Sequence, residues 1–122
     1  MIEIKKKGKQ RHISITRGDF AVLAIAAKDR QGNIIPCDGE NAVIKVQVRE
    51  PPGNSTTVLF DGDIQYLEDG TAAWTIHPDD TRGTAKASFV YDVQIQMDDD
   101  VVITFIPLSD FILLPESTEK GV

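Results

Sequence analysis

Carboxylates come nearest to a chemistry in this chain. Asp61 and Asp63 flank Gly62, and Glu68 and Asp69 follow soon after. Oxygen ligands gathered on a loop suggest calcium. The helix–loop–helix calcium site needs oxygens at its first, third and fifth positions and a glycine at its sixth. Counted from Asp61, the fifth position is Gln65 and the sixth is Tyr66, so the pattern fails where the sharp turn belongs. Asp98, Asp99 and Asp100 are adjacent; such a run repels itself and keeps a turn in water. Zinc asks for His and Cys grouped at ligand spacing, and His12, Cys37 and His77 stand singly. Ser88 and Ser109-Asp110 lack the glycines of a nucleophile elbow. Arg82-Gly83-Thr84 leads into a strand where a phosphate loop would lead into a helix. His77, before Pro78, reads as a rim histidine. Arg17-Gly18-Asp19 spells an integrin-ligand tripeptide and reads as a turn between strands. Cys37 sits in a turn-like stretch beside Asp38 and Glu40, which disfavour a thiolate. No catalytic residue, metal ligand or cofactor is expected, and the chain does not read as an enzyme.

The elements around these residues are strands. The odd positions from Ala87 are Ala87, Phe89, Tyr91, Val93, Ile95 and Met97, while Lys86, Ser88, Asp92, Gln94 and Gln96 alternate with them and Val90 is the one exception. Side chains alternate faces on a strand, so this is a long half-buried strand. The three aspartates then turn the chain into a second apolar run over residues 101–106. Upstream, Ala42, Ile44, Val46 and Val48 share one face of another strand, and Ala72, Trp74 and Ile76 share one face of a third. Residues 20–28 are almost continuously apolar; their alanines also suit a helix, and the turn that follows favours a strand. Residues 12–16 alternate, with Ile13 and Ile15 on one face, and 57–60 is a short strand that 64–67 can extend. The Asp29-Arg30-Gln31-Gly32-Asn33 stretch reads as a hairpin turn. Residues 78–83 suit one helical turn or a compact loop. Pro107 is expected to break the chain before a last strand over 111–114. Seven to nine short strands with regular turn signals predict an all-β, immunoglobulin-like antiparallel sandwich; a small barrel is the alternative.

A chain of 122 residues fits one domain, with a core over about 12–114 and mobile tails at 1–10 and 116–122. A net charge of −6 and a pI near 4.8 speak against nucleic acid, whose phosphates need a basic patch. No segment reaches the roughly 18 apolar residues of a membrane helix, and no apolar run follows the basic start as in a signal peptide. One cysteine excludes an intrachain disulfide.

Several of these stretches occur in a familiar order. Arg17-Gly18-Asp19 precedes an apolar strand, Asp29-Arg30-Gln31-Gly32 turns it, and Ala72, Trp74 and Ile76 follow. Phe89-Val90-Tyr91-Asp92-Val93-Gln94-Ile95 and then Phe105-Ile106-Pro107-Leu108 and Phe111 complete the set. This order resembles the immunoglobulin-like N-terminal domain of phage baseplate upper proteins and related prophage tail domains, with Tyr91-Asp92-Val93-Gln94 the closest match. The resemblance implies a structural role in a virion tail assembled in the bacterial cytoplasm. The implied partners are other tail or baseplate proteins and further copies of the chain, with no small-molecule ligand. Members often continue into a linker helix and a distal receptor-binding region, whereas this sequence stops at Val122.

Three stretches are candidate docking surfaces: residues 5–11, residues 51–56, and Phe111, Ile112, Leu113 and Leu114. The last has most weight, because four consecutive apolar residues on a strand cannot all face one core; a strand buried on both faces, or beside the other sheet, is the plainer reading of the same run. The alternative function is a carbohydrate-binding or adhesion module. Sugar sites present aromatic faces, and with Trp74 and Tyr91 in inward phase mainly Tyr66 is left for that role.

Overall fold

A computed structural model describes residues 2–3, 10–28, 31–51, 57–98 and 101–116. The basic stretch 5–9, most of the loop 51–56, Asp29 and Arg30, Asp99 and Asp100, and the tail beyond Glu116 lie outside the described residues. In chain order the elements are β1 (Ile2–Glu3), β2 (Ile13–Thr16), β3 (Ala21–Ile25), β4 (Ala27–Lys28) and β5 (Val43–Arg49). There follow β6 (Val58–Asp61), β7 (Asp63–Tyr66), β8 (Ala72–Ile76), α1 (Pro78–Arg82), β9 (Ser88–Asp98) and β10 (Val101–Leu114). The large sheet has the order β2-β10-β9-β5-β6, the small one β3-β8-β7, and β1 pairs with β4 as a two-stranded parallel ladder. The large and small sheets pack together as a sandwich, and the small helix is the single turn foreseen at 78–83.

Parity decides what lies between the sheets. Phe89, Tyr91, Val93 and Ile95 of β9 are all buried, as are Ala42, Ile44, Val46 and Val48 on and before β5. Ala72, Trp74 and Ile76 of β8 close the core from the other sheet. Trp74 sits at its centre, with ring centroids 5.5 Å from Tyr91, 6.1 Å from Phe111 and 6.4 Å from Phe60. The Tyr91 hydroxyl donates to the carbonyl of Arg11. Burial pushes that phenol up to about 12.

β6 and β7 are one length of chain that leaves the large sheet and enters the small one at Gly62. The Gly62 amide donates to the Val46 carbonyl at 2.8 Å. A Cβ there would stand 2.8 Å from Val46 Cβ and 3.3 Å from Trp74 Nε1. Absence of a side chain lets the strand cross this close to the core. The shared strand half-closes the sandwich on that side, which places the fold between the expected sandwich and the alternative barrel.

Three sequence expectations are corrected. The pairing is not wholly antiparallel: β2 runs parallel to β10, from Ile13 opposite Phe111 to Thr16 opposite Leu114. The incoming chain sets that direction, because residues 10–12 already run along β10. Gln10 Nε2 donates to the Leu108 carbonyl, the Arg11 amide to Ser109 Oγ, and the Asp110 amide to His12 Nδ1, at 2.9, 2.9 and 3.0 Å. Pro107 does not end a strand. It lies inside β10 where the register to β9 shifts, between Ile106 and Ser109. A bulge needs no ladder hydrogen bond from that position, so proline is tolerated there. An earlier shift, between Thr104 and Ile106, lets the consecutive side chains of Phe105 and Ile106 both reach the core. Finally, ordered contacts extend beyond 12–114: Gln10 and Arg11 are tied as above, and Glu116 Oε1 lies 3.4 Å from Arg82 Nε.

Candidate interaction surface

The quartet Phe111, Ile112, Leu113 and Leu114 divides between two faces. Phe111 and Leu113 are buried in the core, Ile112 is half-buried, and Leu114 is 45% exposed. β10 is flanked by β9 on one side and β2 on the other, so its backbone is not a free edge either. The quartet is therefore not a docking surface as a unit, because alternation commits every second residue to the interior.

The exposed apolar surface lies instead on the small sheet. β3 pairs with β8 alone among the described residues, and stands at the sheet edge. Its sequence, Ala-Val-Leu-Ala-Ile, is apolar throughout. Leu23 and Ile25 do turn inward, but Val22 is 54% exposed and Phe20, just before the strand, 63%. Ala24 is exposed on the same side. Register carries this face across the sheet. Val22 stands opposite Thr75, which stands opposite Asp63; Ala24 stands opposite Ala73, which stands opposite Gln65. The outer face is thus apolar and flat along β3 and polar along β7. An edge strand of this kind is normally blunted by charge, proline or a bulge. Phe20 through Ala27 has none of these residues. Among the described residues the other exposed large apolar side chains are Val58 on β6, Leu67 just after β7, and Val101, Val102 and Leu114 on β10.

Phe20 meets His77 edge to face, with centroids 6.1 Å apart. His77 Nε2 lies 2.7 Å from Asp63 Oδ2, and the His77 amide donates to Asp80 Oδ2 at the start of α1. The hydrogen bond to Asp63 is the main cause that holds the imidazole above its ordinary value of 6.5. Desolvation opposes it, and the charges of Asp63 and Asp80 support it. A folded-state pKa above the unfolded one stabilises most at low pH and loses its effect as pH rises through the folded value. The melting temperature of the wild type should therefore exceed that of Asp63→Asn by a margin that shrinks as pH is raised from about 6 to about 8. A calorimetric pH series checks this.

The outer face of the large sheet is of another kind. Lys45, Gln47, Arg49, Asp61, Asp92 and Gln94 line a shallow groove of about 370 Å3. Within it an Arg49 guanidinium nitrogen lies 3.2 Å from Asp92, and Gln47 donates to Asp61 at 2.9 Å.

The other residues singled out by type are occupied by the fold. Arg17 donates to the carbonyls of Lys86 and Ala85 at 2.7 and 3.4 Å, and the buried Gly18 amide donates to Thr81 Oγ1 at 2.8 Å. Gly18 has a φ of +83°, so the tripeptide is a left-handed turn locked against α1, as the turn reading supposes. Asp61 and Asp63 point to different partners, Gln47 and His77. The buried Ser109 hydroxyl donates to the Pro107 carbonyl at 2.8 Å and accepts from Arg11. Burial, and then the charge of Asp38, pushes the Cys37 thiol up. Tyr66 accepts the Ile44 amide at 2.9 Å and lies against Gly39, so its ring is not a free sugar platform. Among the described residues no group of three His, Cys, Asp or Glu side chains could hold a metal ion, and no helix is long and apolar enough to cross a membrane.

Exposure of β3 was hidden from sequence reasoning because an edge strand and a fully buried strand share one composition. The available signal was its neighbour: Asp19 and Phe20 follow directly on a tight turn, and chain that leaves a turn at a sheet margin is exposed. No family model and no curated protein matches this chain.

Proposed function

We propose that this chain is a non-enzymatic assembly domain of a phage or prophage tail baseplate, and that it works through protein–protein contacts. The observation that carries the reading is the unblunted edge strand β3 with the exposed side chains of Phe20, Val22 and Ala24 beside it. Sheet edges dock partners by adding a strand, with main-chain hydrogen bonds for affinity and alternate side chains for fit. The tail assignment rests on the resemblance that ends in Tyr91-Asp92-Val93-Gln94. Asp92 of that motif pairs with Arg49, and Tyr91 ties the Arg11 carbonyl. Both help to hold the scaffold that displays β3.

The test uses purified chain and the purified tail proteins encoded beside it. One of them should bind the wild type, and Val22→Lys should weaken that binding at least tenfold. The lysine places a charge where an apolar edge must be desolvated. Its side chain points to solvent in the free chain, so the unfolding free energy should change by no more than about 0.5 kcal/mol. Failure of every tail protein to bind, or full binding by Val22→Lys, overturns the reading.

A further inference from the structure

We infer that the groove on the outer face of the large sheet binds a neutral oligosaccharide. The argument starts from strand register. Asp92 of β9 stands opposite Gln47 of β5, and Gln47 stands opposite Asp61 of β6. The three side chains form a row across three strands, roughly 10 Å long at the ordinary strand spacing. Lys45 and Gln94 stand opposite each other in the next row. Arg49 follows Gln47 on the same face of β5 and reaches Asp92. These six residues line one hollow of about 370 Å3, a volume within the range of small-ligand sites. Ile44 and Val46 also line it, but their side chains are buried in the core on the opposite face, so the floor is main chain.

Charge and hydrogen-bonding capacity then select the ligand. Lys45 and Arg49 balance Asp61 and Asp92, so the lining carries no net charge. A carboxylate or phosphate would meet the two aspartates, and an amine would meet the two bases. A neutral ligand meets neither penalty. Much of the capacity is unused. Among the described residues, Lys45 and Gln94 take no hydrogen bond or ion pair with their side chains. Gln47 engages one oxygen of Asp61, and Arg49 one oxygen of Asp92. The Arg49 Nε–H is buried with no acceptor, so the lining lacks an oxygen there. Gln47, Gln94, Asp61 and Asp92 each present two polar atoms in one plane. Such a pair can bridge two adjacent hydroxyls, and each hydroxyl both donates and accepts. A neutral ligand that answers donors and acceptors along a row of this length is a short chain of sugar rings. A peptide cannot add here as a strand, because the β5 backbone is paired on both sides, with β9 and with β6. No aromatic ring lines the groove, so hydrogen bonds must hold the sugar without stacking, and the affinity is modest.

The test uses the full chain, isotopically labelled for nuclear magnetic resonance. It is titrated with maltohexaose, cellohexaose and N-acetylchitohexaose, and separately with tetraglycine. At least one saccharide should shift the side-chain amides of Gln47 and Gln94 saturably, with a dissociation constant of about 1 mM or tighter. Gln94→Ala should weaken that binding at least fivefold. Its side chain has no partner in the fold, so the melting temperature of the variant should match that of the wild type. Amides that stay in place up to about 10 mM of every saccharide overturn the inference. So does equal binding by Gln94→Ala, or a response to tetraglycine alone.

Discussion

Replacing Trp74 by alanine should lower the unfolding free energy by about 3–5 kcal/mol, the cost of deleting a large buried aromatic side chain whose site cannot fully collapse. Trp74 is 1% exposed and lies between Phe60, Tyr91 and Phe111, which belong to three other strands. The cavity would open at the junction of both sheets, beside the crossing at Gly62, where no side chain is present to fill it. Domains of this size hold roughly 5–15 kcal/mol in total, so the variant should be folded only marginally. Urea denaturation followed by fluorescence would lose its reporter with the tryptophan, so far-ultraviolet circular dichroism is the measurement. A loss below about 1 kcal/mol would mean that the indole is not at the centre of the core.

The second large effect separates two neighbours on one strand. Phe111→Ala should cost about 3–5 kcal/mol, and Leu114→Ala no more than about 0.5 kcal/mol. Phe111 is fully buried and stacks edge to face on Phe60 at 5.8 Å and on Tyr91 at 6.2 Å, whereas Leu114 faces solvent. Sequence reasoning weighted both equally as interface. Similar losses for the two variants would contradict the division of the quartet between core and surface. The comparison is read as a difference in denaturation midpoint at constant slope, so that the denatured state does not enter.

Much of this architecture was legible in the residues. Alternation gave the inward set of β9, the inward residues of β5 and β8, and the core position of Trp74, because period two has one physical cause and few competitors. The helical turn at Pro78 was legible from proline followed by aspartates. What alternation cannot report is which sheet a strand joins and what stands beside it. The parallel partnership of β2 depends on hydrogen bonds between residues 10–12 and β10, nearly a hundred positions apart in sequence. Pro107 looked like a break because local rules count its missing amide, and the bulge that removes the need for that amide is a property of the pair. The candidate surface was least legible. Leu113 and Val22 are similar aliphatic residues in similar runs; burial of one and exposure of the other follow from sheet order alone.

The reading of β3 as the strand through which this chain docks is tested most directly by amide hydrogen exchange, residue by residue, in the free chain and in its mixture with the tail protein that binds it. Alternate amides of an edge strand lack a partner within their own sheet and exchange rapidly in an isolated copy. The account predicts that the amides of β3 on its free edge gain protection in the mixture, while those of β2, β5 and β9 do not change. Protection at β3 that is already complete in the free chain, or that does not change in the mixture, would contradict it.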